Sequence, residues 1–395
     1  MTASLRARVT VFEDVLSQEK IDFVKLQNLC FHGIPHESGL RSVCWKIILN
    51  YLPVKRKEWP MFLKTQRALY MQFLQELVFH PASAKGPHQT NREDVTFEDH
   101  PLNTNPESQW NSYFKDNEVL LQIDKDVRRL YPDMAFFQRP TAFPCHLLLD
   151  STKGIETLRR RIERSSLNAV PVKSLRSGVN NIQHSEQTRK ESVTGEELGE
   201  VHWEVVERVL FVYAKLNPGI AYVQGMNEIV GPIYYTFASD SQPQCQEHAE
   251  ADTFFCFTNL MAEIRDNFIK SLDGTQCGIG LHMNRIYSLL HQHDSDLLLH
   301  LESQHIEPQF FAFRWLTLLL SQEFLLPDVL RLWDSLLADF HRFDFLIYVC
   351  SAMLLLIRDK LLDGDFPTNM KLLQEYPIGD VQAILTKAIE LQEKS

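Results

Sequence analysis

Apolar residues recur along this chain at helical spacing far more than at the spacing of a strand. In LRSVCWKII, the positions Leu40, Val43, Cys44, Ile47 and Ile48 fall at i, i+3, i+4, i+7 and i+8, which gathers them on one face of a helix. Phe23, Leu26 and Cys30 show the same pattern earlier. Val381, Ile384, Leu385, Ala388 and Ile389 show it again after Gly379-Asp380, which predicts a last helix docked on the domain. LPDVLRLWDSLLADF and FDFLIYVCSAMLLLIRDKLL read as two core helices of a bundle or solenoid. Alternation of the strand type, bounded by hairpin turns, is nearly absent. The expected fold is all-α, with Ser38 as the N-cap of the helix that begins at Leu40.

Two stretches interrupt this pattern. His80 to Trp110 is polar and rich in Pro, Asn and His, and Ser151 to Glu200 is free of aromatics and mixed in charge. Such segments bury too little apolar surface to offset the entropy of ordering, so they read as long polar insertions, near 80–110 and 151–200. Arg159, Arg160, Arg161 and Arg164 form a basic cluster in the second. It reads either as a solvated helix face or as a contact for acidic headgroups or an acidic partner.

Composition narrows the function classes. The 395 residues suffice for a large core or for two domains, and 44% hydrophobic with 23% charged residues is ordinary for a soluble globular chain. A net charge of −11 argues against nucleic acid as a partner. The seven cysteines are scattered with no C-x-x-C pair, as expected for reduced thiols in a cytoplasmic protein. No signal peptide and no myristoylation or prenylation motif is evident. The longest uncharged apolar run, Phe345 to Ile357, is too short for a bilayer and reads as a buried helix. Membrane contact is therefore expected to be peripheral or through a partner.

The chain has no P-loop, no G-x-G-x-x-G after a strand, no G-x-S-x-G and no H-E-x-x-H. In HQHDSD, His291 and His293 are two apart and would not share a helix face, so a solvated helix end is expected rather than a metal site. IDKDVRRLYPDMAFF says more. Asp126 and Arg129 are three apart and can pair in a helical turn, and Pro132 favours an end to the helix before it. Arg129 would then project from an element's end. Taken alone, the motif reads as an ordinary surface ion pair, a matter of a few tenths of a kcal/mol. AYVQGMNEIV follows the turn signal Asn217-Pro218-Gly219 and puts Gln224 and Gly225 beside an apolar helix start. The amide of Gln224 both donates and accepts, which suits either orienting a water or capping backbone groups.

Together these pieces resemble the TBC domains, activators of Rab-type small GTPases. Ile123-x-x-Asp126-x-x-Arg129 and Tyr222-x-Gln224 are similar to the family's two signature motifs. GIPHESGLRSVCW resembles its opening block, with Arg41 and Trp45 in the R-x-x-x-W positions. FFAFRWLTLLLSQEFLLPDVLRLWDSLLAD resembles a late block, with Trp315, Pro327, Trp333 and Asp334 in register. Leu130 departs from the threonine common in the family after the arginine.

The resemblance covers roughly residues 33–346, leaving 1–32 as an N-terminal helical extension and 347–395 as C-terminal helices that pack on the domain. It implies that Arg129 is an arginine finger and Gln224 a glutamine finger, both offered in trans to a GTP-bound Rab. Asp126 would orient Arg129, and Arg41 would hold the finger loop with Trp45 packed beneath it. Tyr222 would fix the Gln224 loop and, with Gln224, face the GTPase, while Gly225 would permit close approach. Ile123 belongs to the same support. GTP and Mg²⁺ would be carried by the partner, and the chain would bind no cofactor of its own.

Overall fold

The structure is a computed structural model that describes residues 3–36, 39–78, 109–145, 158–159, 161–163, 199–268, 278–377 and 379–395. The predicted stripes become helices with one buried face. In chain order these are α1 (Ala3–Ser17), α2 (Phe23–Phe31), α3 (Leu40–Ile48), α4 (Trp59–Phe73), α5 (Gln109–Val127), α6 (His202–Leu216), α7 (Met226–Ala238), α8 (Pro243–Glu247), α9 (Ala249–Ile264) and α10 (Ile279–His293). They continue as α11 (Ser295–Ser303), α12 (Ala312–Thr317), α13 (Leu326–Ala338), α14 (Asp344–Leu356), α15 (Arg358–Asp363), α16 (Phe366–Gln374) and α17 (Val381–Lys394). Among the described residues there is no strand, only isolated bridges between Lys20 and Lys55 and between Pro140 and Val201. Ser38 and most of the two polar insertions lie outside the described residues.

The chain divides into two units, one formed by Met1–Arg67 with Glu228–Ser395 and the other by Ala68–Asn227. In the first unit, α13 packs on α2 and α3, and α14 packs on α10 and α17. Leu26 and Cys30 of α2 and Cys44, Trp45, Ile47 and Ile48 of α3 are buried against this core. Each such leucine or isoleucine side chain taken fully out of water contributes about 1.5–3 kcal/mol. Val381, Ile384, Leu385 and Ala388 dock α17 as their spacing predicts, and the Asp380 carboxylate caps it at Gln382 N–H. α14 is buried from Phe345 to Leu354 except at Tyr348, and no described helix is long and apolar enough to cross a membrane.

The first unit also buries charge. Asp252, fully enclosed, pairs with Lys46 at 2.7 Å and Arg67 at 2.9 Å and accepts the Tyr51 hydroxyl at 2.8 Å. Burial alone would raise the Asp252 carboxyl, but the two cations hold it below its ordinary value.

In the second unit α5 packs along α6, whose residues from Val205 to Ala214 are all buried. The basic cluster does not form one solvated face. Arg161 is 7% exposed, with its guanidinium 4.4 Å from the Tyr113 ring centroid and Nε donating to Asn117 Oδ1. Arg159 faces Glu163 and Glu204, while Arg160 and Arg164 lie outside the described residues. Arginine tolerates this burial because its flat guanidinium stacks on rings while its N–H groups find acceptors.

Candidate functional site

The second unit brings the two sequence motifs together. α5 ends at Val127, and the chain turns as Arg128 N–H donates to the Asp124 carbonyl and Arg129 N–H to the Asp126 carbonyl, at 3.2 Å each. Ile123, Val127 and Leu130 are fully buried and clamp this end of the helix. Leu130 therefore acts as an apolar anchor. Tyr131 follows with φ of 43°, a left-handed residue that reverses the chain before Pro132. The Arg129 side chain is left 71% exposed. Its Nη2 donates to Asp126 Oδ1 at 2.9 Å and its Nε to the Lys125 carbonyl at 3.0 Å. Arg128, beside it, pairs with Asp124 at 2.7 Å and lies 4.4 Å from the Trp203 ring centroid, so the neighbouring arginines have different surroundings.

The glutamine loop forms between α6 and α7. The Asn217 amide donates to the Tyr213 carbonyl at 2.9 Å, and the Asn217 carbonyl accepts Ala221 N–H at 2.7 Å. Ala221 at φ 56° and Gly225 at φ 101° shape the segment between them. Gly225 suits its place because a side chain in that left-handed region is strained. Met226 is fully buried and starts α7, and Ile229 and Val230 behind it are buried too. Gln224 alone of Tyr222, Gln224 and Gly225 is exposed, and its amide has no hydrogen-bond partner among the described residues. It therefore does not cap backbone groups here.

The two motifs meet at Asp126. This carboxylate is 7% exposed, and its Oδ2 accepts the Tyr222 hydroxyl at 2.8 Å. One oxygen thus holds the arginine turn and the other holds the glutamine loop. Tyr222 itself is buried. It faces inward to Asp126, so of the expected pair Tyr222 and Gln224 only Gln224 is turned to solvent. Asn227 completes the junction. Its Nδ2 lies 3.4 Å from the Asp126 carbonyl and its Oδ1 lies 3.4 Å from the Tyr222 oxygen. The sequence offered a signal for it, a polar residue between buried Met226 and the apolar run from Ile229.

Arg41 and Trp45 meet a different partner, in the first unit. Asp334 on α13 is fully buried and accepts Arg41 Nε and Nη2 at 3.0 Å each, Trp45 Nε1 at 2.9 Å and Ile34 N–H at 2.9 Å. Arg41 Nη2 also reaches the Ile34 carbonyl at 3.1 Å. Burial raises the Asp334 carboxyl, and Arg41 opposes that shift most. The four bonds use both carboxylate oxygens, as a buried charge requires. Trp45 lies 6.0 Å from Trp333, whose Nε1 donates to the Leu319 carbonyl. The residues expected to hold the finger loop thus have their hydrogen bonds within the first unit.

His291 and His293 sit in the last turn of α10, and no group of metal-binding side chains is found among the described residues.

Comparison with known proteins agrees with this architecture. The profile of the Rab-GTPase-TBC domain matches residues 187–362. The chain is 61% identical, over the full length of both, to human TBC1 domain family member 13. It is 35% identical to TBC domain-containing protein C1952.17c of Schizosaccharomyces pombe, covering 98% of this chain and 73% of that one. The crystal structure of the Ypt/Rab-GAP domain of Gyp1p shares the fold, with a TM-score of 0.67 and 24% identity over 99% of each chain.

Proposed function

The chain belongs to the Rab-GTPase-TBC domain family, and from that premise we propose that it is a GTPase-activating protein for a Rab-type small GTPase in membrane trafficking. Arg129 and Gln224 are its fingers. The observation that carries this reading is the shared carboxylate of Asp126, which couples an exposed arginine to the loop of an exposed glutamine.

GTP hydrolysis requires stabilisation of charge on the transferring phosphoryl group and a positioned water, and an arginine supplied in trans speeds it by about 10³–10⁵. Arg129 suits the first task through its permanent charge and planar fork. Asp126 holds it near its working position before the partner arrives, which lowers the entropy lost on docking. The neutral amide of Gln224 suits the second task, since it can orient a water without taking its proton. Asp126, Tyr222 and Ile123 position the fingers, Gly225 allows the backbone to come close, and Arg41 with Trp45 supports the domain through Asp334. GTP and Mg²⁺ come with the partner, the chain needs no cofactor of its own, and it works in the cytoplasm with transient peripheral contact to Rab-bearing membranes.

Single-turnover hydrolysis by a panel of purified, GTP-loaded Rabs tests the reading. Strong stimulation of at least one Rab is expected. Binding to a Rab-GTP with no change in its hydrolysis rate would instead identify a scaffold or effector.

A further inference from the structure

Trp203, in the first turn of α6, touches both limbs of the loop that carries Arg129. It is buried, and its ring centroid lies 4.4 Å from the guanidinium of Arg128, the residue before the finger. Its backbone N–H donates to the Phe137 carbonyl at 3.0 Å, on the returning limb. Neighbouring bonds extend this into a short antiparallel pairing. His202 N–H donates to the Arg139 carbonyl at 3.1 Å, and Thr141 N–H to the Glu200 carbonyl at 2.8 Å. The His202 ring stacks on Phe136 with 4.1 Å between centroids. Backbone and ring contacts thus fasten the returning limb to residues 200–203.

The outgoing limb is fastened through Arg128. Its Nε donates to Asp124 Oδ1 at 2.7 Å, and its carbonyl lies 3.4 Å from Gln138 Nε2, an amide of the returning limb. A guanidinium that meets a carboxylate and an indole face loses both contacts if it swings away. Arg128 and Arg129 share a peptide bond, so what fixes one backbone fixes the next.

We propose that Trp203 is a positioning residue for Arg129, holding the finger's backbone through its ring on Arg128 and its N–H on the Phe137 carbonyl. The role rests on the GTPase-activating reading above. Asp126 grips the Arg129 guanidinium itself, and that grip must loosen when the guanidinium turns to a phosphoryl group. The contacts of Trp203 involve no atom of Arg129, so they persist through that step. A misplacement of about 1 Å can cost about 10²-fold in rate, which is what a fixed backbone prevents.

Single-turnover GTP hydrolysis by a responsive Rab, measured across concentrations of the full chain and paired with hydrogen exchange, tests the proposal. Trp203→Leu removes the π face and leaves the backbone N–H. The saturating rate should fall about fivefold or more, with the half-saturating concentration within about twofold of wild type. Trp203→Phe restores a ring face and should come within about twofold of wild type in both. A purely structural role would lower the folded fraction, which raises the half-saturating concentration and leaves the saturating rate alone. Arg128→Met should match Trp203→Leu, and the double variant should fall no further, because both act through one contact. Exchange of the Arg128, Arg129 and Leu130 amides should quicken about fivefold or more in Trp203→Leu and stay unchanged in Trp203→Phe. An unchanged saturating rate in Trp203→Leu, a Phe variant as slow as the Leu variant, or unchanged exchange would overturn the proposal. Quickened exchange in a chain whose wild type stimulates no Rab would count against the GTPase-activating reading, and the hold of Trp203 on the turn would stand. Should Trp203→Leu fail to fold, Arg128→Met decides, since that side chain is half exposed.

Discussion

The Tyr222 hydroxyl donates to Asp126 Oδ2 at 2.8 Å across 96 residues of chain, and it turns two separate motifs into one assembly. The other oxygen of the same carboxylate holds Arg129 at 2.9 Å. Replacing Tyr222 by Phe removes one hydroxyl and strands a buried carboxylate oxygen. The expected cost is about 1–3 kcal/mol in chemical denaturation. Rab GTPase stimulation should also fall about tenfold, since roughly 1.4 kcal/mol of lost positioning has that effect. Stimulation at the wild-type rate in the Phe variant would detach Tyr222 from the fingers.

Gly225, at φ 101°, tests the loop's backbone. Alanine there must adopt a left-handed conformation at about 1–2 kcal/mol. Gly225→Ala should lower stability by that amount and lower stimulation with it. An unchanged denaturation midpoint would mean that the loop adopts another backbone.

Arg41 tests stability apart from chemistry. It is 13% exposed by side chain and is the paired cation of fully buried Asp334. Arg41→Ala leaves that carboxylate without its counter-charge, at a cost of about 3–5 kcal/mol. Urea denaturation should show the loss, while Arg129→Ala should cost less, about 1–3 kcal/mol, because the guanidinium is 71% exposed and Asp126 keeps the Tyr222 hydroxyl.

The second unit carries two groups whose titration should be visible. Burial lowers His202, stacked 4.1 Å from Phe136, to about 4 from an ordinary 6.5. Between these values the unfolded chain binds more protons, so stability is lost as pH falls from about 6.5 to 4. Glu207 has the opposite sign. Burial, then the charges of Asp124 and Glu204, raises it well above the ordinary carboxylate range, and its Oε1 has no partner among the described residues. The folded protein then binds the extra proton, so stability falls as pH rises through that window. Glu207→Gln should be more stable than wild type near neutral pH, with the gap shrinking in acid. A gap independent of pH in urea titrations would show that Glu207 is not the titrating group.

The helices were legible because burial imposes its period on the sequence. The stripes at Leu40–Ile48 and Val381–Ile389 became α3 and α17 with those faces inward. The long-range polar pairs were not legible, since nothing local links Asp126 to Tyr222 or Arg41 to Asp334, which is 293 residues away. Arg161 shows the limit from the other side. A run of arginines reads as solvated, yet the rings of Tyr113 and Phe211 and the amide of Asn117 give this one a buried place. For Arg129 and Gln224 the types and spacing were informative only through resemblance, and the structure adds their exposure and the carboxylate that couples their loops.

Single-turnover GTP hydrolysis by a responsive Rab, with Arg129→Ala and Gln224→Ala compared against wild type, tests the central claim most directly. Arg129→Ala should lose about 10³-fold or more of the stimulation. Gln224→Ala should lose about 10²-fold or more, the scale of one missing transition-state contact. Gln224→Ala should melt as wild type does because its side chain is exposed, and Arg129→Ala should keep a cooperative melt with a midpoint lowered by the loss of the Asp126 ion pair. Near-wild-type rates from both variants would contradict the assignment.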